Sequence, residues 1–426
     1  MNNKKINNIK KHICFISAGH LSSNPRLIKE ATLASKKGYK VSIIAIQTLE
    51  KLVPFENEIL AQNPNWKTYI YPFYKKKLLY IIGTLFHHLA KRIPNLASHF
   101  EYGKMSINTP FWLSFYSLLK NVKADIYSNH NIYLTPLVYQ IAKKNKAKFG
   151  MDIEDAYAFI KAKNIDEIEK SIMKIEKKYF PKADYITAAS PLYVDFYNKL
   201  YQNLPKIIPV LNVFEEIKKQ EKKDYKDRKN INNLSLYWFS QTIGKERGIE
   251  QVIQALNMLN RDDIELHLRG EVNQETKKYF LDLAKMQNIK QNIFFHELVS
   301  NQELALRTTE HDIGLALETG FSINNELAIS NKIFQYINSS LSIIASKTQG
   351  QSSLLNKNKE IGLLIDIQNI KEFAQKIEIL ANSKQNPQEN NLLEIQKKAS
   401  KNLSKTKYNW NMEGQKFIKI IEKTLS

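Results

Sequence analysis

The chain has a single cysteine, Cys14, so no internal disulfide can form, and a reducing, cytoplasmic setting suits it. Cys14 lies in the apolar run ICFIS, where packing explains it better than nucleophilic chemistry. No apolar stretch approaches the roughly 20 residues that cross a bilayer. The opening MNNKKINNIKKHICFISAGH is basic with a short apolar part, and reads as a tail entering a first strand rather than a secretion signal. Cys/His finger spacings and RNP-like aromatic motifs are missing, which argues against nucleic acid as a partner. Acidic residues are the scarcer charge: 42 against 63 Lys and Arg, for a net charge of +21. Abundant Lys, Asn and Ile throughout the chain is the plain explanation. The sharper one is an anionic partner, either a membrane surface or a phosphorylated ligand.

What is present is patterned. With 426 residues, 43% of them hydrophobic, the chain can bury the cores of two domains or three. Apolar strands alternate with helical segments, the mark of doubly wound α/β domains. HICFISA (12–18), KVSIIAI (40–46), ADIYSNH (124–130), KFGMDI (148–153), ADYITAAS (183–190) and KIIPVLNVF (206–214) are the strands of a first half. The charged segment EEIKKQEKKDYKDRKNINN then reads as an exposed linker. The alternation restarts with LSLYWFS (234–240), IELHLRG (264–270), NIFFHE (292–297), DIGLALE (312–318), LSIIAS (341–346) and GLLID (362–366). A polar stretch over about 383–405 precedes a final helix around Trp410.

ETGFSINNE places Glu318 and Glu326 eight positions apart, between a buried strand and the helix beginning NKIFQYI. A carboxylate leaving a strand beside a helix N-terminus suits a phosphorylated sugar: the acid accepts hydroxyls and the helix N–H groups receive phosphate. Asn331 and Lys332 stand at that helix start, either to attract phosphate or as a plain cap and a solvated cation.

Several segments carry a resemblance. ISAGHLSSNPRLIKEATLASKKGYKVSII, DIYSNHN, MDIED, ITAASPLYVDFY, LYWFSQTIGKERGIEQVIQAL and NKIFQYINSSLSIIASKTQGQ resemble, in order, landmarks of GT-B glycosyltransferases similar to family 4, the retaining enzymes that use nucleotide-sugars. The matches span about residues 12–350, with weaker ones to about 425. The resemblance implies an α/β chain of two doubly wound Rossmann-like domains with an interdomain cleft: an acceptor-side domain (1–213), the linker (214–232), a nucleotide-sugar domain (233–405), and a C-terminal helix (406–426) returning to the first domain. It implies transfer of a hexose-type sugar from a nucleotide-diphosphate donor to a cell-envelope glycan or lipid-linked saccharide, such as lipopolysaccharide or capsule. It implies no cofactor and no bound metal.

The site residues follow from the matching positions. Glu318 becomes the leading catalytic carboxylate, orienting the sugar or stabilising charge at the anomeric carbon. Ser240 and Gln241 stand where the family commonly has Gly and Arg, so Lys245 and Arg247 of IGKERG become the candidates for clamping the diphosphate. Ser340 and Ser342 replace the usual Gly-x-Pro, and Gln335 falls where a second Glu is expected, able to reach ribose hydroxyls without charge. Glu326 then keeps only its literal spacing. His130 is a candidate for contacting sugar or acceptor, or for acting as a base. His20, Asp152, Glu154 and Asp155 are acceptor-side candidates, with helix capping the simpler role for the acids.

YPFYKKKLLYIIGTLFHHLAKRIPN (71–95) interleaves cations with large apolar residues. As a helix it would suit the surface of an anionic membrane, or else a core-facing role with a basic outer side. A nucleotide-sugar 2-epimerase of the same fold and an inactive sugar-binding homologue are the alternatives in function.

Overall fold

The computed structural model describes residues 11–17, 19–75, 77–161, 165–217, 227–228, 230–286, 292–386 and 391–426. The chain forms two units, one of residues 1–211 with 414–426, the other of 212–413. Most of the expected linker, namely 218–226 and 229, lies outside the described residues.

The first unit holds seven strands: β1 (His12–Ile16), β2 (Lys40–Gln47), β3 (Lys67–Pro72), β4 (Ile126–Asn129), β5 (Lys148–Ile153), β6 (Tyr185–Ala188) and β7 (Ile207–Pro209). They form one parallel sheet in the order β3-β2-β1-β4-β5-β6-β7. Strands such as KVSIIAIQ are apolar runs because helices cover both faces of a parallel sheet. Residues 414–426 belong to this unit, where Phe417 is fully buried with its ring 6.3 Å from that of Phe15.

The second unit has six strands: β8 (Leu234–Thr242), β9 (Ile264–Glu271), β10 (Asn292–His296), β11 (Ile313–Ala316), β12 (Ser342–Ser346) and β13 (Gly362–Ile365). They form a parallel sheet in the order β10-β9-β8-β11-β12-β13. Leu234, Leu236 and Trp238 of β8 and Leu266 and Leu268 of β9 share one core with Ile253, Phe373 and Ile377. The residues that alternate with them, Glu265, His267 and Arg269, are equally buried. They are held by each other and by Asp227, Tyr237 and His296. Polar alternation here marks a second packed face rather than a wet one.

Three segments differ from their reading in the sequence. β3 was hidden because its residues are half-exposed on an edge strand. Segment 71–95 divides into the end of β3, a helix Leu78–Arg92 and a short helix Pro94–Ala97, with Pro94 at the first position of the latter. The polar stretch 383–405 contains a helix, Leu392–Thr406, capped by Asn391. Its buried side carries Gln396 and Ser400, whose hydrogen bonds to Ser342 and to the Leu341 carbonyl replace apolar packing.

Candidate active site

In each sheet the strand order reverses once, between β1 and β4 and between β8 and β11. Beyond the carboxyl ends of such a pair the connecting loops part in opposite directions and leave a crevice, the usual ligand position in doubly wound folds.

In the second unit, Glu318 lies just past β11. Its backbone N–H donates to Ser346 Oγ at 2.9 Å, and that hydroxyl in turn donates to the Glu318 carbonyl at 2.6 Å. The carboxylate accepts from Ser330 Oγ (2.9 Å) and Lys332 Nζ (3.2 Å) on Oε1, and from Asn325 Nδ2 (2.9 Å) on Oε2. Burial alone would raise its pKa. The Lys332 charge and these three donors outweigh that and hold it down to about 2, so the group is ionised near neutrality. The side chain keeps 21% of its surface exposed, leaving it reachable by a ligand.

Around Glu318 the loop is tied by its own polar groups. Gly320 N–H donates to Asn325 Oδ1 at 2.6 Å, and Ser322 caps the short helix Ile323–Leu327. Gly320 has φ of 69°, and a Cβ there would come within 2.2 Å of Glu326 Oε1. Glu326 uses its other oxygen to accept from the Gln349 N–H at 3.2 Å, at the head of helix Gln349–Leu355. Its role in this geometry is to hold the loop.

Ser330 precedes helix Asn331–Asn338 but spends its hydroxyl on Glu318 and makes no side-chain cap. Asn331 is exposed at the first position, and Lys332 reaches back over the Trp238 ring at 5.5 Å. Gln335 is 1% exposed and donates to Ser339 Oγ at 3.1 Å within its own helix. That burial takes Gln335 away from the ribose contact expected of it.

Ser240 and Gln241 occupy a bulge, since the β8–β9 register slips between Phe239 and Thr242. Gly270 permits it: with φ of 154°, a Cβ there would lie 2.6 Å from the Ser240 carbonyl. Arg247 Nη1 donates to Ser240 Oγ at 2.7 Å and to the Thr242 carbonyl at 3.2 Å, which fixes an exposed guanidinium at the end of β8. Gln241 is exposed beside it. Lys245 turns elsewhere, its ammonium 4.4 Å from the centre of the Tyr279 ring. Gly248, with φ of 83°, starts helix Ile249–Leu259 so close to the sheet that a Cβ would stand 2.6 Å from Leu317 Cβ. The Arg247 loop and the Glu318 loop therefore meet at one place. Asn325, Ser330 and Ser346 escaped the sequence reading; only Ser330, as a Ser one residue before a helix, carried a recognisable signal.

The first unit places a different group beyond β1 and β4. His130 is wholly buried, with Nδ1 3.0 Å from Glu154 Oε1 and 3.2 Å from Asp152 Oδ2, and Nε2 3.3 Å from Glu30 Oε2. Arg26, also buried, donates to both Asp152 oxygens at 2.5 and 2.7 Å and to the Val210 carbonyl. Burial disfavours the charged imidazole, yet the three surrounding carboxyl groups push its pKa well above the ordinary value. The carboxyl groups favour the charged form of His130, whose Nδ1 pairs with Glu154 and Asp152, an arrangement that ties the ring into a buried polar network. Asp152 is lowered: burial opposes the charge, but Arg26 and His130 overcome it. Glu30 moves up through burial and the neighbouring Asp152. Glu30, His130 and Asp152 bring ligand atoms within 4.8 Å of one another, a metal-like grouping. Arg26 supplies positive charge to the same carboxylates, Asp152 and Glu30. Arg26 and Glu30 lie one helical turn apart on Pro25–Lys36 and were not singled out from sequence.

His20 accepts from the Thr48 and Leu49 N–H groups on Nε2, at 2.8 and 2.9 Å, and pairs through Nδ1 with buried Glu56 at 3.0 Å. Both ring nitrogens are committed, one to the loop at Thr48 and Leu49 and the other to Glu56 of helix Val53–Gln62, a structural arrangement in place of the acceptor contact expected of His20. Asp155 is half-buried near Tyr133, Tyr157 and Tyr193, whose ionisation is opposed first by burial and then by the nearby acids.

Residues 219–402 match the family model described as glycosyl transferases group 1. An uncharacterised glycosyltransferase of Methanocaldococcus jannaschii is 24% identical over 330 residues, covering 75% of this chain and 80% of that protein. Among solved structures, a glycosyltransferase from Rickettsia africae superposes with a TM-score of 0.65 at 15% identity, over 98% of this chain and 99% of its own. HepE of Anabaena, in complex with UDP and glucose, superposes with a TM-score of 0.65 at 12% identity, over 97% of this chain and 100% of its own.

Proposed function

We propose that this chain, a glycosyltransferase of the GT-B fold with a group 1 domain over residues 219–402, transfers a hexose-type sugar, with retention, from a nucleotide-diphosphate donor. The observation that carries this reading is the ionised Glu318 standing beside Lys332 and the head of helix Asn331–Asn338, at the strand-order reversal of the second sheet.

Each neighbour has a part in donor binding. Glu318 accepts sugar hydroxyls and, as an anion in a partly desolvated place, stabilises positive charge growing at the anomeric carbon. Lys332 lies between that carboxylate and the helix N-terminus, so its ammonium and the helix N–H groups meet the departing diphosphate together. Arg247, already oriented by Ser240 and Thr242, adds a forked contact to the same oxygens. The neighbour HepE, solved in complex with UDP and glucose, supports a uridine nucleotide-sugar as the first donor to try. The acceptor in this reading is a cell-envelope glycan or lipid-linked saccharide, in keeping with a cytoplasmic enzyme working at a membrane.

The test is product analysis with a radiolabelled UDP-hexose in the presence and absence of candidate acceptors. Transfer, or slow donor hydrolysis, that disappears in Glu318→Gln is expected. A free epimer formed without acceptor would replace the transferase reading by that of a 2-epimerase.

A further inference from the structure

Helix Leu78–Arg92 packs with its small side. Gly83 and Ala90 are its buried positions, and a Cβ at Gly83 would strike the Pro110 carbonyl at 2.0 Å, so the helix lies backbone-close on the segment beneath. Its large residues point the other way. Leu78, Ile81, Leu85 and Leu89 fall within a narrow arc of the helical wheel, and all four are between 53% and 69% exposed. Leu96 and Phe100 extend the exposed apolar surface just beyond the helix. A helix that turns its leucines to water and its glycine and alanine to the protein is the reverse of a core-facing helix. Patches of this kind on an otherwise ordinary surface mark contact sites.

Charge identifies what covers it. No Asp or Glu occurs between Glu58 and Glu101, whereas exposed Lys75, Lys77, Lys91 and Arg92 border the stripe. A second copy docking face to face would press these cations against their equivalents with no acid to offset them. An anionic bilayer offers both what the stripe needs, an apolar interior, and what its border needs, phosphate. Among the described residues no helix is long and apolar enough to cross a membrane, so the segment lies on the surface rather than spanning it.

We infer that residues 77–100, with Lys75, form a docking face that seats the first unit on an anionic lipid bilayer, with Leu78, Ile81, Leu85 and Leu89 entering the acyl boundary and Lys75, Lys77, Lys91 and Arg92 meeting the headgroups. The docking face is independent of donor chemistry, which resides in the other unit.

The experiment is vesicle co-flotation of the full chain, with light scattering on the same samples. Vesicles of phosphatidylglycerol and phosphatidylcholine in equal parts should carry the protein, and added salt should weaken the binding. Pure phosphatidylcholine should carry much less. The double variant Leu85→Asp with Leu89→Asp should lose about tenfold or more of its partition, since two charges must then enter the acyl boundary. Lys91→Glu with Arg92→Glu should lose binding to the anionic vesicles selectively. Because all four positions are exposed, each variant should melt as the wild type does, and UDP-hexose hydrolysis should be unchanged. Wild-type protein that stays unbound with anionic vesicles overturns the inference. So does a wild-type dimer that Leu85→Asp with Leu89→Asp converts to monomer, which would make the face a contact between copies.

Discussion

Lys332 Nζ lies 3.2 Å from Glu318 Oε1 and 5.5 Å from the centre of the Trp238 ring, so one ammonium joins the loop after β11 to the middle of β8. Its charge is the largest of the influences that hold the Glu318 carboxyl down against burial. Replacing Lys332 by Met should therefore raise the pKa of Glu318 from about 2 towards the ordinary range near 4.3. The acid limb of the donor-turnover pH profile should move to higher pH in that variant, while the Michaelis constant for the nucleotide-sugar rises through loss of a phosphate contact. A profile that does not move would separate Lys332 from the carboxylate.

Glu318→Gln keeps the shape of the side chain, removes the charge and puts an amide donor where the carboxylate accepts from Ser330 and Lys332 or from Asn325. It should reduce kcat about 10²–10³-fold, the size seen when one group facing developing charge is lost. Melting temperature should also fall, because the charge that Lys332, Asn325 and Ser330 stabilise in the fold is lost. Stopped-flow or radiolabel turnover with UDP-hexose measures the effect, and an unaltered rate would remove Glu318 from the site.

Arg247 is held by Ser240, and the pair should act as a unit. Arg247→Ala should weaken UDP affinity by about 1–2 kcal/mol, the scale of one charge-assisted hydrogen-bonded contact. Ser240→Ala should produce a smaller loss in the same direction, because the guanidinium keeps its bond to the Thr242 carbonyl. Isothermal titration with UDP decides it. If Lys245→Ala had the larger effect, the diphosphate would be met on the Tyr279 side of the loop instead.

How much of this could be read from the chain depends on the kind of signal. The strands were legible because a parallel sheet buried on both faces needs apolar runs, and KFGMDI was placed to the residue. The place of Glu318, just past a strand and ahead of a helix, was legible because both elements are strongly patterned. Gln335 and Glu326 were not, since whether an amide faces a ligand or Ser339, or an acid faces a sugar or the Gln349 N–H, depends on side-chain direction. Arg26 and Glu30 were invisible for another reason: on an amphipathic helix they resemble solvated charges, and only Asp152 and His130, more than a hundred residues away, make them core.

That buried network should be costly to break. Arg26→Leu leaves Asp152 charged and enclosed without its forked partner, and removing one member of such a pair costs about 3–5 kcal/mol. Asp152→Asn should cost a comparable amount by stranding Arg26. The double variant should be less destabilised than the sum of the two, because neither charge is then left alone. Urea unfolding of the three variants tests this, and simple additivity would mean that the two side chains do not act as a pair.

Acid stability should follow the histidines, with a sign set by the surroundings of each. His296 and His311 are held down to about 4 and about 3, chiefly by burial, so the native state keeps them neutral. Below the unfolded value near 6.5, the unfolded chain binds protons that the folded one refuses, and stability falls by about 1.4 kcal/mol per pH unit for each group. His130 runs the other way. Its pKa is raised in the fold, so its contribution is complete below about 6.5 and diminishes as pH rises. The carboxylates held low, Glu318 among them, withdraw their contribution only once pH drops below about 4.3. Between pH 6.5 and 5 the acid slope therefore draws on His296, His311 and their neighbour His267, and on His12 and His87 of the first unit, all lowered chiefly by burial. Glu176, pushed up to about 7 by burial, opposes it. Melting temperature should fall across that interval, and His296→Gln, at the least enclosed of the three in the second unit, should flatten the slope by about one proton's worth. An unchanged slope in that variant would mean that His296 does not titrate between the folded and unfolded states.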